Sequence, residues 1–288
     1  MVTVCGRRES ATILRDRLHT TTQSAASPDF DPAWVEIDVL ATGDSLVDEP
    51  NREVAARCHL VIGHGLVLPW VDLTVSTVDE IDDVVADRLI PWVSKWRVGR
   101  RAPRLQVARL LASDSSWPAT AERLKARLEW ATADQPVLRI DHIGSTSVPG
   151  IKAKDLVDLQ VTVPTFVDAA PVAEAAVAAG FVHVAADLFG KDRRGEIHPE
   201  EVCVDADPGR PVNVNIRSVD APVARDAVLF RDWLRANEDA RLRYEAFKEL
   251  RAGRHIDEYG DAKEPFISAC LVEAEEWAAA TSWAGFET

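Results

Sequence analysis

The stretch that decides the fold of this chain is DHIGSTSVPG at residues 141–150, followed by KDLVDLQV at residues 154–161. The pattern predicts a strand that ends in a Gly-Ser turn, then a connection, then a second strand with an acidic position. Because glycine has no side chain, its backbone can approach a phosphate closely. Carboxylates on the second strand can hold the Mg²⁺ that bridges phosphates. This layout is typical of nucleotidyltransferase sites.

The second strand departs from that layout at one position. Nucleotidyltransferase strands usually carry two carboxylates two residues apart, because alternate side chains of a strand point to one face. Here the two positions are Asp158 and Gln160. A neutral amide binds Mg²⁺ only weakly, through its carbonyl oxygen. The motif therefore predicts the fold more strongly than the reaction.

Composition limits the class of protein. The 288 residues are 47% hydrophobic and include nine tryptophans, so the chain can build a real core. The formal net charge of −14 disfavours a nucleic-acid partner, because an acidic surface repels phosphate backbones. We therefore expect a small-molecule ligand, either a nucleotide or another phosphorylated compound. Composition does not determine the oligomeric state.

The cysteines and the apolar runs bear on location. Cys5, Cys58, Cys203 and Cys270 show no paired spacing, which disfavours a zinc site or a disulfide framework and suits a reducing compartment. No apolar run approaches the roughly 18 residues of a membrane-spanning helix, and the start does not read as a signal peptide. We expect a cytoplasmic protein without a membrane partner.

Residues 1–92 alternate short apolar runs with charged helical stretches, which predicts a small parallel α/β region. The predicted strands are Val2–Cys5, Trp34–Leu40, His59–Gly63 and Asp72–Val75. The predicted helices are Ser10–Leu18, 53–58, and one from Thr77, with Glu80 in a capping box, to about Trp92. Residues 20–33 have the composition of a loop.

Residues 93–109 carry six basic residues and no acidic one, with Gly99 and Pro103 among them. This composition predicts a basic interdomain linker. An anion-binding role for the segment is the alternative.

Residues 110–288 predict a second unit in which helices and strands alternate less regularly. Its expected strands are 137–143, 156–163, 181–185, and a hairpin formed by 202–204 and 212–217. Its expected helices are 119–133, 166–179 and three from Ala224 onward, the last starting at Glu264 because Pro265 favours a first turn. Residues 187–200 read as a mobile loop.

The second unit resembles the GrpB (UPF0157) family. The resemblance rests on residues 137–163, 207–217, 229–237, Tyr244 and 262–266, and it covers about residues 110–280. It implies an α+β nucleotidyltransferase-like domain, with a mixed sheet and flanking helices. The family often has a histidine where this chain has Asn215.

Shorter segments are similar to a GrpB-like domain that actinobacteria append to dephospho-CoA kinase. These segments are 116–118 and 206–210, and residues 78–103 are similar to the end of the kinase itself. A kinase of that type needs the phosphate loop G-x-x-x-x-G-K-[ST] near its start. Residues 4–10 read VCGRRES, without a second glycine or a lysine. We therefore expect a degenerate kinase relic and no dephospho-CoA phosphorylation.

Candidate site residues follow from the motif and from the resemblance. Asp158 and His142 are the catalytic candidates, and Asp158 with Gln160 the metal candidates, for Mg²⁺. The candidates for binding ATP or another nucleoside triphosphate are Gly144, Ser145, Thr146, Arg210, Asn213, Asn215, Arg217 and Lys263. Several have structural alternatives, since His142 also suits a core histidine and the Gly-Ser segment also suits a plain tight turn. Lys191, Arg193 and Arg194 suit either a solvated loop or a closing loop.

Two functions stay open at this point. One is an enzyme that passes a nucleotidyl or phosphoryl group to a small acceptor, mainly by charge neutralisation. The other is a non-catalytic module for ligand sensing or folding assistance. Three carboxylates converging near Ser145 would favour the enzyme, and one or two would favour binding alone.

Overall fold

The structure is a computed structural model, which describes residues 2–6, 8–25, 30–41, 60–64, 73–77, 79–104, 106–184 and 189–287. The helix predicted at 53–58 lies outside the described residues. Among the helices described, none is both long and apolar enough to cross a lipid bilayer.

The first layer is a parallel four-stranded sheet. Its strands are β1 (Val2–Gly6), β2 (Ile37–Ala41), β3 (Leu60–His64) and β4 (Leu73–Val75). They lie in the order β2-β1-β3-β4, and every neighbouring pair is parallel. Trp34 belongs to a short 3-10 turn before β2 rather than to the strand itself.

Helix α1 (Arg8–Ser24) is longer than the sequence predicts. The loop expected from residue 20 is wrong for residues 20–24, which continue the helix. The hydroxyls of Thr20 and Ser24 donate to the carbonyls of Asp16 and Thr20, at 2.8 and 2.9 Å, so the polar run is satisfied within the helix. Burial of Leu18 on the same helix holds this end against the sheet.

A nearly continuous helical segment follows β4, in three parts. These are α2 (Glu80–Val84), a π-helical turn (Val85–Leu89) and α3 (Ile90–Arg97). The N-cap of α2 is Asp79 and not the predicted Thr77. The Glu80 carboxylate accepts a hydrogen bond from the Ser76 N–H at 3.0 Å.

The segment 93–109 is not a free linker. Its first residues complete α3, and the Ala102 N–H then donates to the Asp205 carbonyl at 3.3 Å. Arg104 donates to the Val212 carbonyl and to Asn213 Oδ1, at 3.1 and 2.8 Å. These contacts hold Ala102 and Arg104 against the second sheet, while residues 97–101 are exposed.

The second layer is a mixed five-stranded sheet. It comprises β5 (Arg139–Ile143), β6 (Val157–Val163), β7 (Phe181–Val184), β10 (Glu201–Asp205) and β11 (Val212–Ser218). The order is β5-β6-β11-β10-β7, in which only β6 and β11 are parallel. This confirms the mixed sheet and the predicted β10–β11 hairpin.

Helices cover both faces of the mixed sheet. α4 (Ser116–Ala131) and α5 (Ala169–Ala178) pack on one face against Leu159, Val161 and their apolar neighbours. α6 (Pro222–Ala236), α7 (Glu238–Glu249) and α8 (Ile256–Thr281) form a second apolar cluster. Because side chains alternate along a strand, Asp158 and Gln160 of β6 point to the face of the sheet opposite to α4 and α5.

The two layers share one core. Leu89 and Trp92 pack in the same buried cluster as Val182 and Val204 of the mixed sheet. Arg88 makes a bidentate ion pair with Asp207, at 2.8 and 2.6 Å. The first layer is thus fastened to the strands β7 and β10.

Two further predictions are wrong in the last third of the chain. Residues 187–200 contain the hairpin β8 (Phe189–Lys191) and β9 (Ile197–Pro199) instead of an unstructured loop. Asp192 Oδ1 builds its turn by accepting the N–H groups of Arg194 and Glu196, at 2.8 and 2.9 Å. Pro265 lies inside α8 rather than at its start, because packing of Tyr259 and Leu271 on either side outweighs the missing hydrogen bond.

Candidate functional site

The site is built on the only parallel strand pair of the mixed sheet. β6 and β11 are in register so that Asp158 lies opposite Asn213 and Gln160 opposite Asn215. Asn213 donates through Nδ2 to Asp158 Oδ1 at 2.8 Å. Four polar residues therefore occur as neighbours on one face, as the two-residue period of the strands predicts.

The Gly-Ser turn lies directly over Asp158. Ile143, the last residue of β5, is paired with Asp158, and Gly144 follows with φ +69° and ψ −172°. Only glycine adopts this conformation readily. A Cβ atom at Gly144 would lie 2.5 Å from Asp158 Oδ2. The absence of a side chain is what lets the turn approach the carboxylate.

Gln160 is not placed to bind a metal ion. Its side chain is fully buried, its Nε2 donates to the Ala224 carbonyl at 2.9 Å, and its Oε1 accepts from Arg217 at 2.9 Å. The prediction of Gln160 as a ligand is wrong because both ends of the amide are committed. Gln160 instead ties the first turn of α6 to the sheet.

His142 lies behind the turn and does not line the cavity described below. Its Nε2 is 3.0 Å from Thr146 Oγ1. Burial, followed by the charges of Arg235 and Arg231, lowers the pKa of His142 to about 4. The ring is therefore neutral at pH 7, so the geometry favours the structural alternative over catalysis.

Three other predicted binding residues, Ser145, Thr146 and Arg210, are not among those that line the cavity. The Ser145 hydroxyl lies 3.3 Å from that of Tyr244, and the Thr146 hydroxyl donates to the Leu156 carbonyl at 3.2 Å. Arg210 is buried in the β10–β11 turn.

A cavity of about 520 Å³ opens beside Asp158, bounded by the strand pair, the β8–β9 hairpin, α6 and α8. Seven residues proposed from the sequence line it: Gly144, Asp158, Asn215, Arg217, Lys263 and, in the hairpin, Lys191 and Arg193. The apolar wall is one stripe of α6 made of Val223, Ala227, Phe230 and Leu234. The cavity thus has a polar floor and an apolar side.

Most cations of the cavity wall are neutralised by the protein. Lys191 pairs with Glu264 at 3.0 Å, Arg217 with Glu200 at 2.5 Å, Arg231 with Asp141 at 3.1 Å, and Arg193 with Glu275. Within the described ranges, Lys263 is the one lining cation that has no carboxylate within salt-bridge distance.

Lys263 shares Asp158 with two other cations. Tyr244, with smaller effects from Tyr259 and Asp158, raises the pKa of Lys263 in spite of burial. Burial, and then the charge of Lys263, lowers the pKa of Lys154 to about 8. Burial likewise lowers the pKa of Arg104, which Asp158 partly restores. Lys154 and Arg104, which are not among the residues that line the cavity, thus lie near enough to Asp158 for its charge to raise the pKa of each.

The carboxylates do not form a two-metal centre at Asp158. Among the described residues, one group of three metal-ligating side chains lies close together: Asp192, Glu196 and His198, in the hairpin. Asp158 belongs to no such group. A single carboxylate suits a Mg²⁺ ion that arrives with phosphates, and does not suit a pair of ions held by protein alone.

Asp226 is a site residue that sequence reasoning missed. It lies on α6, lines the cavity, is 5% exposed, and its Oδ2 has no hydrogen-bond partner. A signal was present, because Asp226 interrupts the side of α6 that carries Val223, Ala227 and Phe230. A carboxylate beside an apolar helical stripe indicates a buried charge.

The first β–α connection has no room for a phosphate loop. β1 ends at Gly6 and α1 begins at Arg8, so a single residue separates the two elements. The phosphate loop of kinases needs a longer glycine-rich connection.

Residues 107–273 match the family described as GrpB protein, in agreement with the extent predicted from the motifs. The chain is 36% identical over 237 residues to the dephospho-CoA kinase of Mycolicibacterium paratuberculosis, a match that covers 74% of this chain and 58% of the kinase. It is 31% identical over 186 residues to a UPF0157 protein of Streptomyces coelicolor, which covers 59% of this chain and 92% of that protein.

The chain therefore spans little more than half the length of the kinases it matches. Among solved structures, conserved protein GrpB from Enterococcus faecalis aligns with a TM-score of 0.48 and 21% identity. That alignment covers 59% of this chain and 99% of the other.

Proposed function

Because the chain belongs to the GrpB family and is related to dephospho-CoA kinases, we propose that its cavity binds a phosphate-bearing small molecule, with a nucleoside triphosphate as the candidate. The observation that carries the proposal is Lys263, a cation of the cavity wall that has no carboxylate within salt-bridge distance among the described residues. Lys263, Lys154 and Arg104 share the single carboxylate of Asp158. Uncompensated cations in a partly buried site favour an anionic ligand.

The Gly144 turn supports the same ligand class. Gly144 lines the cavity together with Lys263, and its backbone approaches Asp158 without an intervening side chain. Mg²⁺ bound with a triphosphate would draw on the carboxylate of Asp158 and would neutralise part of the phosphate charge. Lys263 and the Asn215 amide would then contact the remaining oxygens.

Binding without group transfer is the function that the donor set supports best. Gln160 is committed to Arg217 and Ala224, so the second carboxylate of a transferase site has no counterpart on β6. Transfer of a nucleotidyl or phosphoryl group to a small acceptor is the second candidate, favoured by the position of Asp158 against Gly144. Phosphorylation of dephospho-CoA is not proposed, because of the single-residue connection after β1.

Calorimetric titration tests the proposal. Wild-type protein is titrated with inorganic triphosphate and with ATP, each with and without Mg²⁺, and compared with Lys263→Met and Asp158→Asn. Lys125→Met on α4, which is outside the cavity and paired with Glu122, is the matched control. We expect Lys263→Met to weaken binding by about tenfold or more, the scale of one charge-assisted contact, and the control to have no effect.

The Asp158→Asn variant distinguishes binding without group transfer from transfer of a nucleotidyl or phosphoryl group. If the variant abolishes a Mg²⁺-dependent part of the binding, the metal is held at this site and a search for acceptors is justified. If the variant binds as well or better, the carboxylate is not a metal ligand and the transferase candidate falls. No binding of either phosphate compound by wild-type protein would overturn the proposed function.

Proton uptake gives a second measurement. The pKa of Lys154 is lowered to about 8 by burial and by Lys263. An anion beside these lysines would raise the pKa again, because it stabilises the protonated form. We expect binding near pH 8 to take up protons, visible as a dependence of the binding enthalpy on the ionisation enthalpy of the buffer.

A further inference from the structure

Asp226 is a buried carboxylate with one oxygen unused. It lies on α6, is 5% exposed and lines the cavity, yet its Oδ2 meets no hydrogen-bond donor among the described residues. The backbone and the charge of Arg193, in the β8–β9 hairpin, both lower the pKa of the same carboxylate. Leaving a buried polar atom without a partner costs about 1–3 kcal/mol, so such atoms are uncommon outside functional sites.

The charged groups around Asp226 do not use that oxygen. Arg193 faces it from the hairpin, Arg225 from its own helix and Glu275 from α8. Both arginines direct their guanidinium groups to Glu275 instead. Burial consequently raises the pKa of Asp226, with Glu275 adding to the effect and Arg193 opposing it.

Asp226 and Lys263 line different parts of the cavity wall. Lys263 and Leu271 both line it and are eight residues apart on α8, which corresponds to about 12 Å along the helix. Lys263 is beside Asp158 and Tyr244, whereas Asp226 is close to Glu275, beyond Leu271. One end offers a cation without an ion pair, and the other offers an acceptor without a donor.

We propose that Asp226 accepts a hydrogen bond from a hydroxyl or amino group of the ligand, so that the ligand carries phosphate at one end and a hydrogen-bond donor at the other. This inference rests on the proposed phosphate binding and specifies its substrate class. The apolar stripe of α6, with Ala227 and Phe230, lies between the two ends and accommodates the part of the ligand that joins them.

Matched alkyl phosphates test the inference. Hexyl phosphate and 6-aminohexyl phosphate carry the same anion, and only the second has a donor that can reach the far end. Binding of both is measured by calorimetry for wild-type protein and for Asp226→Asn. The control is Asp220→Asn, which removes the same charge from an exposed position before α6 and outside the cavity.

Wild-type protein is expected to bind the amino compound at least about tenfold more tightly, as a hydrogen bond to a charged group implies. In Asp226→Asn the preference should fall to about twofold or less, with the affinity for hexyl phosphate unchanged. An equal preference in wild type and Asp226→Asn would overturn the inference and leave phosphate binding intact. If neither compound binds wild-type protein, the proposed function fails, and the inference fails with it.

Stability distinguishes recognition from a structural role. The pKa of Asp226 is higher in the folded protein than in the unfolded chain. Its contribution to stability is therefore present at low pH and is lost as the pH rises through the pKa of the folded state. Asp226→Asn should therefore be at least as stable as wild type at pH 7, while losing the preference for the amino compound. A large loss of stability at pH 7 would show that Asp226 supports the fold, and would overturn the inference.

Discussion

Asp158 and Gln160 are neighbours on the same face of β6, yet their surroundings are opposite. Asp158 faces the cavity, accepts a hydrogen bond from Asn213, and is approached closely by the side-chain-free turn at Gly144. Gln160 is fully buried and uses both ends of its amide. The two-residue period of β6 places both side chains on one face of the sheet. It does not decide which of the two is open to the cavity.

The elements packed above the strand make the difference. α6 begins over Gln160, where the Ala224 carbonyl needs a donor, and Arg217 reaches the same amide from β11. Over Asp158 the chain supplies a glycine turn and the side chains of Lys263 and Tyr244. One end of the strand pair thus holds α6 against the sheet, and the other end faces the cavity.

Gln160→Ala should have the largest effect on stability. It leaves the Ala224 carbonyl and an Arg217 donor unpaired in a buried site, and it creates a cavity. We expect a loss of about 3 kcal/mol in the free energy of unfolding by urea. Gln23→Ala, at an exposed position of α1, is the control. A loss of less than about 1 kcal/mol in the free energy of unfolding would mean that the contacts of Gln160 do not hold α6 against the sheet.

Gly144→Ala should have the next largest effect on stability. We expect a loss of about 2 kcal/mol in the free energy of unfolding, because alanine does not readily adopt the positive φ of this position. Phosphate binding should be lost as well, since the new Cβ would displace the Asp158 carboxylate. Gly150→Ala is a matched control, because Gly150 also has a positive φ, of +83°, but nothing lies within 4 Å of its Cβ position. Equal binding by both variants would contradict the close approach at Asp158.

His142→Asn tests the interpretation of His142 as a structural residue. The pKa of His142 is lowered to about 4 in the fold, so the unfolded chain binds more protons between about pH 4 and 6.5. Stability should rise with pH across this window, by up to about 1 kcal/mol per pH unit. His142→Asn should flatten that rise and leave phosphate binding unchanged. An unchanged pH dependence, or lost binding, would return His142 to the list of functional residues.

Gln160→Glu should have the smallest effect. It restores the second carboxylate of a transferase strand, but the new group would contact Arg217 and lose the bond to Ala224. We expect a cost of about 1 kcal/mol in stability and no gain in Mg²⁺ affinity, measured by calorimetry with and without ATP. A tenfold gain in Mg²⁺ affinity would show that position 160 faces the metal after all, and would reduce the contrast with Asp158.

Much of the second layer was predictable from local patterns. The strand before Gly144, the strand after residue 156 and the hairpin around residues 207–210 each follow from apolar alternation and turn residues within a few positions. The helix end at Thr20–Ser24, the β8–β9 hairpin and Pro265 inside α8 were not predictable in this way. In each, packing or a side-chain hydrogen bond overrides the local propensity.

The sequence by itself determined that Asp158 follows a glycine turn on a neighbouring strand, because a strand, a tight turn and a two-residue period are local properties of the chain. Only the tertiary structure decided that Gln160 is enclosed and that, within the part of the chain the structure describes, Lys263 lacks an ion pair and Asp226 Oδ2 lacks a donor. A buried polar group stays unpaired only if none of the elements packed around it supplies a hydrogen-bond or ion-pair partner. Those elements, β11, the β8–β9 hairpin, α6 and α8, are brought together from distant parts of the chain.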